Sequence, residues 1–304
     1  MSLLVAGTLS FDSIETPRGR RDNQPGGSAL FAASAAARTM PVRLLAVAGS
    51  DFDEPTLQRL ASDGADLAGL ERASGPNFRW HARYFGTGDQ RETLATEFGV
   101  LADWAPQVPK TFLSSTRVFL ANASPRLQTL ILDQLHAPAF VALDTMGFWI
   151  ERERETLLAL LPRIDALLVN EDEAMLLCGC RDARASAREL QRMGARLAIV
   201  KRGSRGVVAA CGPLLIDMPA IGLDLVVDPT GAGDVFGGAF VAHLALSAGA
   251  LPAAPALSAA LAWASALASA VVEDFGLAGL ARLGAAEADS RRDLLLRQAL
   301  EMPG

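Results

Sequence analysis

The chain has 304 residues and carries 28 Lys and Arg against 34 Asp and Glu, a formal charge of −6. Half of the residues are apolar and 20% are charged, which excludes a disordered chain, because enough apolar surface is present to offset chain entropy. The acid excess argues against a general nucleic-acid binder, whose phosphate contacts need a basic surface.

Short apolar runs at Leu3–Ala6, Leu44–Ala48, Val118–Leu120, Phe140–Leu143, Ala166–Val169, Leu197–Val200 and Leu225–Val227 predict strands buried on both faces. Helical stretches lie between several of them, at Ser28–Thr39, Glu54–Ser62, Leu127–Leu135, Arg152–Leu161 and Ala183–Met193. This alternation implies βαβ units and a mostly parallel sheet covered by helices. The end of the chain reads as helix at Gly233–Ser247, Ala256–Val272 and Glu287–Ala299.

Two segments break the pattern. Residues 11–25 are polar and show no clear helix, and residues 77–98 read as a hairpin with a turn at Gly86-Thr87-Gly88-Asp89. Such a β insertion would form a small sheet outside the main layers, serving as a lid over a pocket or as a dimer surface. With no internal repeat or linker, the expectation is one domain, residues 1–304, plus this appendage. Cys178, Cys180 and Cys211 cannot all pair, and the three histidines lack metal-ligand spacing, so incidental thiols are expected. The start of the chain has no basic n-region, and Leu257–Val272 falls short of the roughly 20 strongly apolar residues of a spanning helix. A cytoplasmic chain with no membrane partner is expected.

The segment Asp228-Pro229-Thr230-Gly231-Ala232-Gly233-Asp234-Val235-Phe236 carries the most chemistry. A strand is expected to end at Asp228, where Pro229 stops it, and Gly231-Ala232-Gly233 makes a tight turn into a helix. Small residues let the backbone approach a ligand, and the first N–H groups of the helix form an anion hole for a phosphate. Asp234, in the first turn, is placed to accept a proton from an alcohol attacking phosphorus. An acid in that turn is also favoured by the helix dipole alone, so the weight lies on the whole run of residues.

That run resembles the C-terminal signature of the ribokinase/PfkB carbohydrate-kinase family. Gly26-Gly27-Ser28-Ala29 is similar to the family's N-terminal Gly-Gly signature, Asn170-Glu171-Asp172-Glu173 to its Asn-x-x-Glu motif, and Lys201-Arg202-Gly203-Ser204-Arg205-Gly206 to its nucleotide turn. The resemblance implies a three-layer α/β/α ribokinase-like fold with a small β lid from about 11–25 and 77–98. It implies an ATP- and Mg²⁺-dependent kinase phosphorylating a hydroxyl of a sugar or polyol, with a nucleoside kinase as the alternative and an inactive sensor as the non-kinase alternative. Asp234 would be the base, with Gly231, Ala232 and Gly233 donating amides to the phosphoryl group. Asn170 and Glu173 would organise Mg²⁺, partly through water. Gly203 and Gly206 would line the nucleotide, with Lys201 near its phosphates. Asp12, Gly26 and Gly27 would meet the substrate, and Asp228 would lie beside a loop that binds K⁺ in many relatives. A homodimer through the lid is a further implication.

This sequence departs from the family pattern at Phe31, where an Asn is usual, which places an aromatic ring near the substrate. It departs again at Lys201, where Thr or Ser is usual, which places a point charge near phosphate. A dinucleotide-binding oxidoreductase fits poorly, because no acid follows the Gly-rich turn at the ribose-binding distance, and a Walker-type ATPase fails because no Gly-Lys pair exists.

Overall fold

The computed structural model describes residues 2–86, 90–247 and 252–301. The first third of the chain holds β1 (Leu3–Ala6), β2 (Ser10–Thr16), β3 (Gly19–Gly26), α1 (Ser28–Ala36), β4 (Val42–Ala48), α2 (Glu54–Ser62), β5 (Ala65–Arg72), β6 (Phe78–Phe85) and β7 (Gln90–Glu97). The middle holds β8 (Arg117–Leu120), α3 (Pro125–Gln134), β9 (Phe140–Asp144), α4 (Gly147–Arg152), α5 (Arg154–Leu160), β10 (Ala166–Asn170), α6 (Glu171–Cys178), α7 (Ala183–Arg192), β11 (Leu197–Lys201), β12 (Val207–Cys211) and β13 (Leu214–Met218). Four helices close the chain: α8 (Ala232–Leu244), α9 (Ala254–Val271), α10 (Ala278–Arg282) and α11 (Ala285–Glu301).

The large sheet runs β13-β12-β11-β10-β9-β8-β1-β4-β5, and it is parallel from β11 to β5. Alternate strand residues feed opposite cores, as the two-residue period of a pleat requires. Leu3, Val5, Phe119 and Ile199 pack with α1, α8 and α9, while Leu4, Ala6, Val118 and Val200 pack with α3, α5 and α7. Continuous apolar strands and helices on both faces are therefore two sides of one constraint. The apolar α9 is long enough to cross a membrane by length and composition, but Leu257, Leu261, Leu267 and Val271 are buried in the first of these cores.

The second sheet runs β3-β2-β6-β7, with β2 and β6 parallel and both outer pairs antiparallel. It touches the body through Ile14, Ala82 and Tyr84, which pack on Phe275. Thr87–Asp89 of the expected turn lie outside the described residues.

The expected strand at Leu225–Val227 does not form. The Val227 and Asp228 N–H groups donate to the Val272 carbonyl at the end of α9, at 2.8 and 3.3 Å, so this backbone is spent on a helix terminus and not on a ladder. The expected helix at Arg152–Leu161 is α5, and a separate helix, α4, precedes it across Glu153. Strands β5, β12 and β13 and helix α6 were not anticipated from periodicity.

Candidate active site

The parallel strands end on polar residues at one edge of the sheet: Asp144 on β9, Asn170 on β10 and Lys201 on β11, with Asn122 two residues past β8. In open α/β sheets the cleft outside these carboxyl ends is where ligands bind. Here it is a cleft of about 1170 Å³ that takes in Asp144, Glu173, Lys201, Gly233 and Asp234 from the floor and Tyr84 and Arg91 from the small sheet.

Helix α8 opens into this cleft. Its cap, Gly231, has φ 79°, a left-handed conformation that a glycine adopts freely, and a Cβ there would lie 2.5 Å from the Phe31 ring. The N–H groups of Gly231, Gly233 and Asp234 have no hydrogen-bond partner among the described residues, whereas that of Ala232 donates to the Pro229 carbonyl at 3.3 Å. Ala232 is thus a corrected expectation: its amide closes the turn, and Gly231, Gly233 and Asp234 leave their own amides open.

Asp234 faces the cleft beside a buried ion pair. Lys201 Nζ donates to Asp144 Oδ2 at 2.6 Å, and a Cβ on Gly233 would lie 3.1 Å from the same Nζ. Burial, then the negative charge of Asp144, pushes the Asp234 carboxyl up to about 7. Burial also raises Glu173 to about 7, against the pull of Lys201. For Lys201, burial disfavours the ammonium, but Asp144 and Glu173 outweigh it and hold the group protonated. Asp144 is fixed further by the Thr145 N–H, which donates to Oδ1 at 2.8 Å, and by Gln128, which donates to its carbonyl at 2.9 Å.

Asn170 and Glu173 form a capping box on α6. Asn170 Oδ1 accepts from the Glu173 N–H at 2.8 Å, and Glu173 Oε2 accepts from the Asn170 N–H at 2.7 Å. This spends both side chains on the helix end and leaves one carboxylate oxygen of Glu173 without a partner among the described residues. No group of three or more His, Cys, Asp or Glu with metal-binding geometry occurs among the described residues. The donors therefore fit a hydrated Mg²⁺ held mainly by nucleotide phosphates, the usual mode for that ion, better than an all-protein cage.

Gly203 and Gly206 sit in the turn between β11 and β12, at φ 56° and 85°, and a Cβ on Gly206 would collide with the Met218 carbonyl. Both glycines line the cleft. Asp12, Gly26 and Gly27 form a group on β2, β3 and the start of α1 just outside this lining, and Asp12 stands near enough to bear on the charge of Asp234. The Asp12 carboxyl is 5% exposed, accepts from Ser10 Oγ at 2.7 Å, and is raised to about 7 by burial. A Cβ on Gly26 would collide with that carboxylate, and one on Gly27 with the Thr8 carbonyl.

A further expectation is corrected at Phe31. Phe31 is 2% exposed and packs under Gly231, so its ring supports the turn and does not face a ligand. Asp228 is 2% exposed, and its carboxylate accepts from the Thr230 N–H at 2.9 Å and the Gly276 N–H at 3.4 Å, tying the turn to the segment after α9. Its oxygens serve the loop, which leaves backbone carbonyls as the donors for any monovalent cation nearby.

Sequence reasoning missed Asp144, Thr145, Asn122 and Arg91. The signal for Asp144 was present: a lone acid ends an apolar run, as Asn170 and Lys201 do. Tyr84 Oη accepts from Thr230 Oγ1 at 3.2 Å, linking the small sheet to the α8 turn, and Arg91 stands near enough to bear on the charge of Asp234 and Glu173.

Comparisons with known proteins bear on the family and the fold. The profile of the pfkB family carbohydrate kinases matches residues 6–281. A cytidine kinase of Thermococcus kodakarensis is 30% identical over 249 residues, covering 80% of this chain and 88% of that protein. A ribokinase from Thermotoga maritima superimposes with a TM-score of 0.74 at 20% identity, over 96% of this chain and 99% of that one. A nucleoside kinase from Methanocaldococcus jannaschii gives a TM-score of 0.75 at 18% identity, over 96% and 98%. The fold is ribokinase-like. The chain belongs to the pfkB family of carbohydrate kinases and is a phosphotransferase with a hydroxyl acceptor.

Proposed function

We propose that the protein transfers the γ-phosphoryl group of ATP to a hydroxyl, preferably primary, of a small sugar or polyol, with Mg²⁺ bound to the nucleotide. The observation that carries this reading is the mouth of α8, where open amides of Gly231 and Gly233 and the carboxylate of Asp234 face one cleft beside Lys201. In the transfer, the bond from phosphorus to the ADP oxygen breaks as a bond to the acceptor oxygen forms. The acceptor proton passes to Asp234, and the amides take up charge on the moving phosphoryl group. Mg²⁺ would supply charge neutralisation to the phosphates; Glu173 would hold it through water, with Asn170 keeping Glu173 in place. Gly203 and Gly206 would let the nucleotide lie close to the β11–β12 turn.

Asp12, with Gly26 clearing space for its carboxylate and Gly27 beside it, would meet acceptor hydroxyls. The small sheet would close as a lid, excluding water and limiting wasteful hydrolysis of ATP, with Tyr84 and Arg91 brought over the phosphates. Its exposed outer strands would also serve a homodimer, which sedimentation tests. A cytoplasmic location and stimulation by K⁺ over Na⁺ complete the reading.

A nucleoside acceptor is the second reading, supported by the identity to a cytidine kinase. Release of ADP across a panel of sugars, polyols and nucleosides tests both. Turnover confined to nucleosides would replace the first reading with the second. Silence across the panel, with ligands still raising the melting temperature, would favour a sensor.

A further inference from the structure

Lys201 presents an arrangement that the turn motif alone does not explain. The side chain runs from the end of β11 to the N-terminal turn of α8, where its ammonium lies against Gly233. Its partner, Asp144, is on β9, two strands away in the sheet, and the intervening β10 pairs with both. The pair is largely enclosed, with 17% of the Lys201 side chain and 4% of the Asp144 side chain exposed. Removing two charges from water costs several kcal/mol per ion before their attraction is counted, so such a pair adds little to stability by itself. Asp144 is held in turn by the Thr145 amide and by Gln128, which is 1% exposed and also donates to the Ala121 carbonyl at 3.1 Å. Three strand ends are thus braced to hold one cation at one point. That point is the anion hole.

Resting on the kinase reading above, we propose that the Lys201 ammonium is the floor's cationic contact to the terminal phosphoryl group of the nucleotide, and that Asp144 is the positioning residue that holds it there. A point charge suits this place, since the phosphoryl oxygens rearrange during transfer and an ammonium can follow them without a fixed fork. It also offsets the repulsion between that group and Glu173 and Asp234. The ammonium keeps its proton throughout, and the acceptor proton still goes to Asp234. Asp144 acts through Lys201 without touching the substrate.

Nucleotide binding tests this without knowledge of the acceptor. Affinities for ATP and ADP, measured calorimetrically with Mg²⁺ on the full chain, should show Lys201→Met losing about tenfold or more of the preference for ATP over ADP, the scale of one charged hydrogen bond. Asp144→Asn should lose less at pH 7 and progressively more as pH rises, because an enclosed lysine without its carboxylate sheds its proton earlier. Lys201→Arg keeps the charge and should retain part of the preference, which guards against a fold defect in the Met variant. The double variant Asp144→Asn/Lys201→Met should match Lys201→Met alone. An unchanged ATP-to-ADP ratio in Lys201→Met, or a pH-independent effect in Asp144→Asn, would overturn the proposal while leaving the kinase reading standing. Failure of the unaltered protein to bind either nucleotide would overturn both.

Discussion

In the nine-stranded sheet, β1 and β8 are buried along their whole length, whereas in the four-stranded sheet most of β3 and β7 is exposed. The large sheet is sandwiched between two apolar cores, so its strand ends are rigid places to hang Asp144, Asn170 and Lys201. The small sheet meets the body through the cluster of Ile14, Ala82, Tyr84 and Phe275, through Phe11 against Phe52 and through the Arg79–Asp51 ion pair, and it brings Tyr84 and Arg91 to the same cleft. Elements that must open and close are drawn from regions with few buried contacts, and elements that align reacting groups from regions with many. On the proposed reading of the small sheet as a lid, the division of labour follows from burial.

The sharpest way to break this comparison is at the floor. Asp234→Asn should lower turnover at least about a hundredfold, the usual scale for a positioned proton acceptor, with ATP binding kept. A smaller loss in steady-state kinetics would remove Asp234 as the base. At the roof, Arg91→Ala should raise KM for the acceptor about tenfold and raise ATP hydrolysis without acceptor, the signature of a lid that closes poorly. Unchanged coupling of ADP release to product would confine the small sheet to a structural or dimer role.

Stability separates the regions further. Phe31→Ala should cost about 3–5 kcal/mol in denaturant unfolding, because the buried ring supports both the core and the Gly231 turn. Tyr84→Phe, which removes the hydroxyl that bonds Thr230 and Arg91, should cost about 1 kcal/mol. A further effect concerns pH. Asp12, Glu173 and Asp234 titrate at about 7 in the folded protein, against about 4 in the unfolded chain. The folded state therefore binds more protons between these values, and their contribution to stability falls as pH rises from about 4 through about 7. Asp234→Asn should accordingly be stabilised relative to the unaltered protein by a larger margin at pH 8 than at pH 5, by thermal melts. The same shift predicts that kcat/KM rises with pH up to about 7 as the base ionises.

The residues differ in how legible they were. The strands at Leu3–Ala6 and Leu197–Val200 stood out because strands buried on both faces are apolar throughout. The run Thr230-Gly231-Ala232-Gly233-Asp234 stood out because an amide-lined turn needs small residues in consecutive positions. Strand β3, with Arg20, Arg21, Asp22 and Asn23, carries no such period, since little of it is buried. The apolar Leu225–Val227 misled for the opposite reason: the Val227 N–H and that of the next residue, Asp228, found the Val272 carbonyl, a partner 45 and 44 residues away that no local pattern announces.

What the sequence determined by itself was the layered α/β architecture and the glycine-rich turn that opens α8, because periodicity and glycine placement act over a few neighbouring residues. Only the tertiary structure decided that Phe31 lies beneath that turn, that Asn170 and Glu173 cap a helix, and that Asp144 meets Lys201 across β10. Those outcomes depend on which strand ends lie side by side, and neighbours in a sheet come from distant parts of the chain.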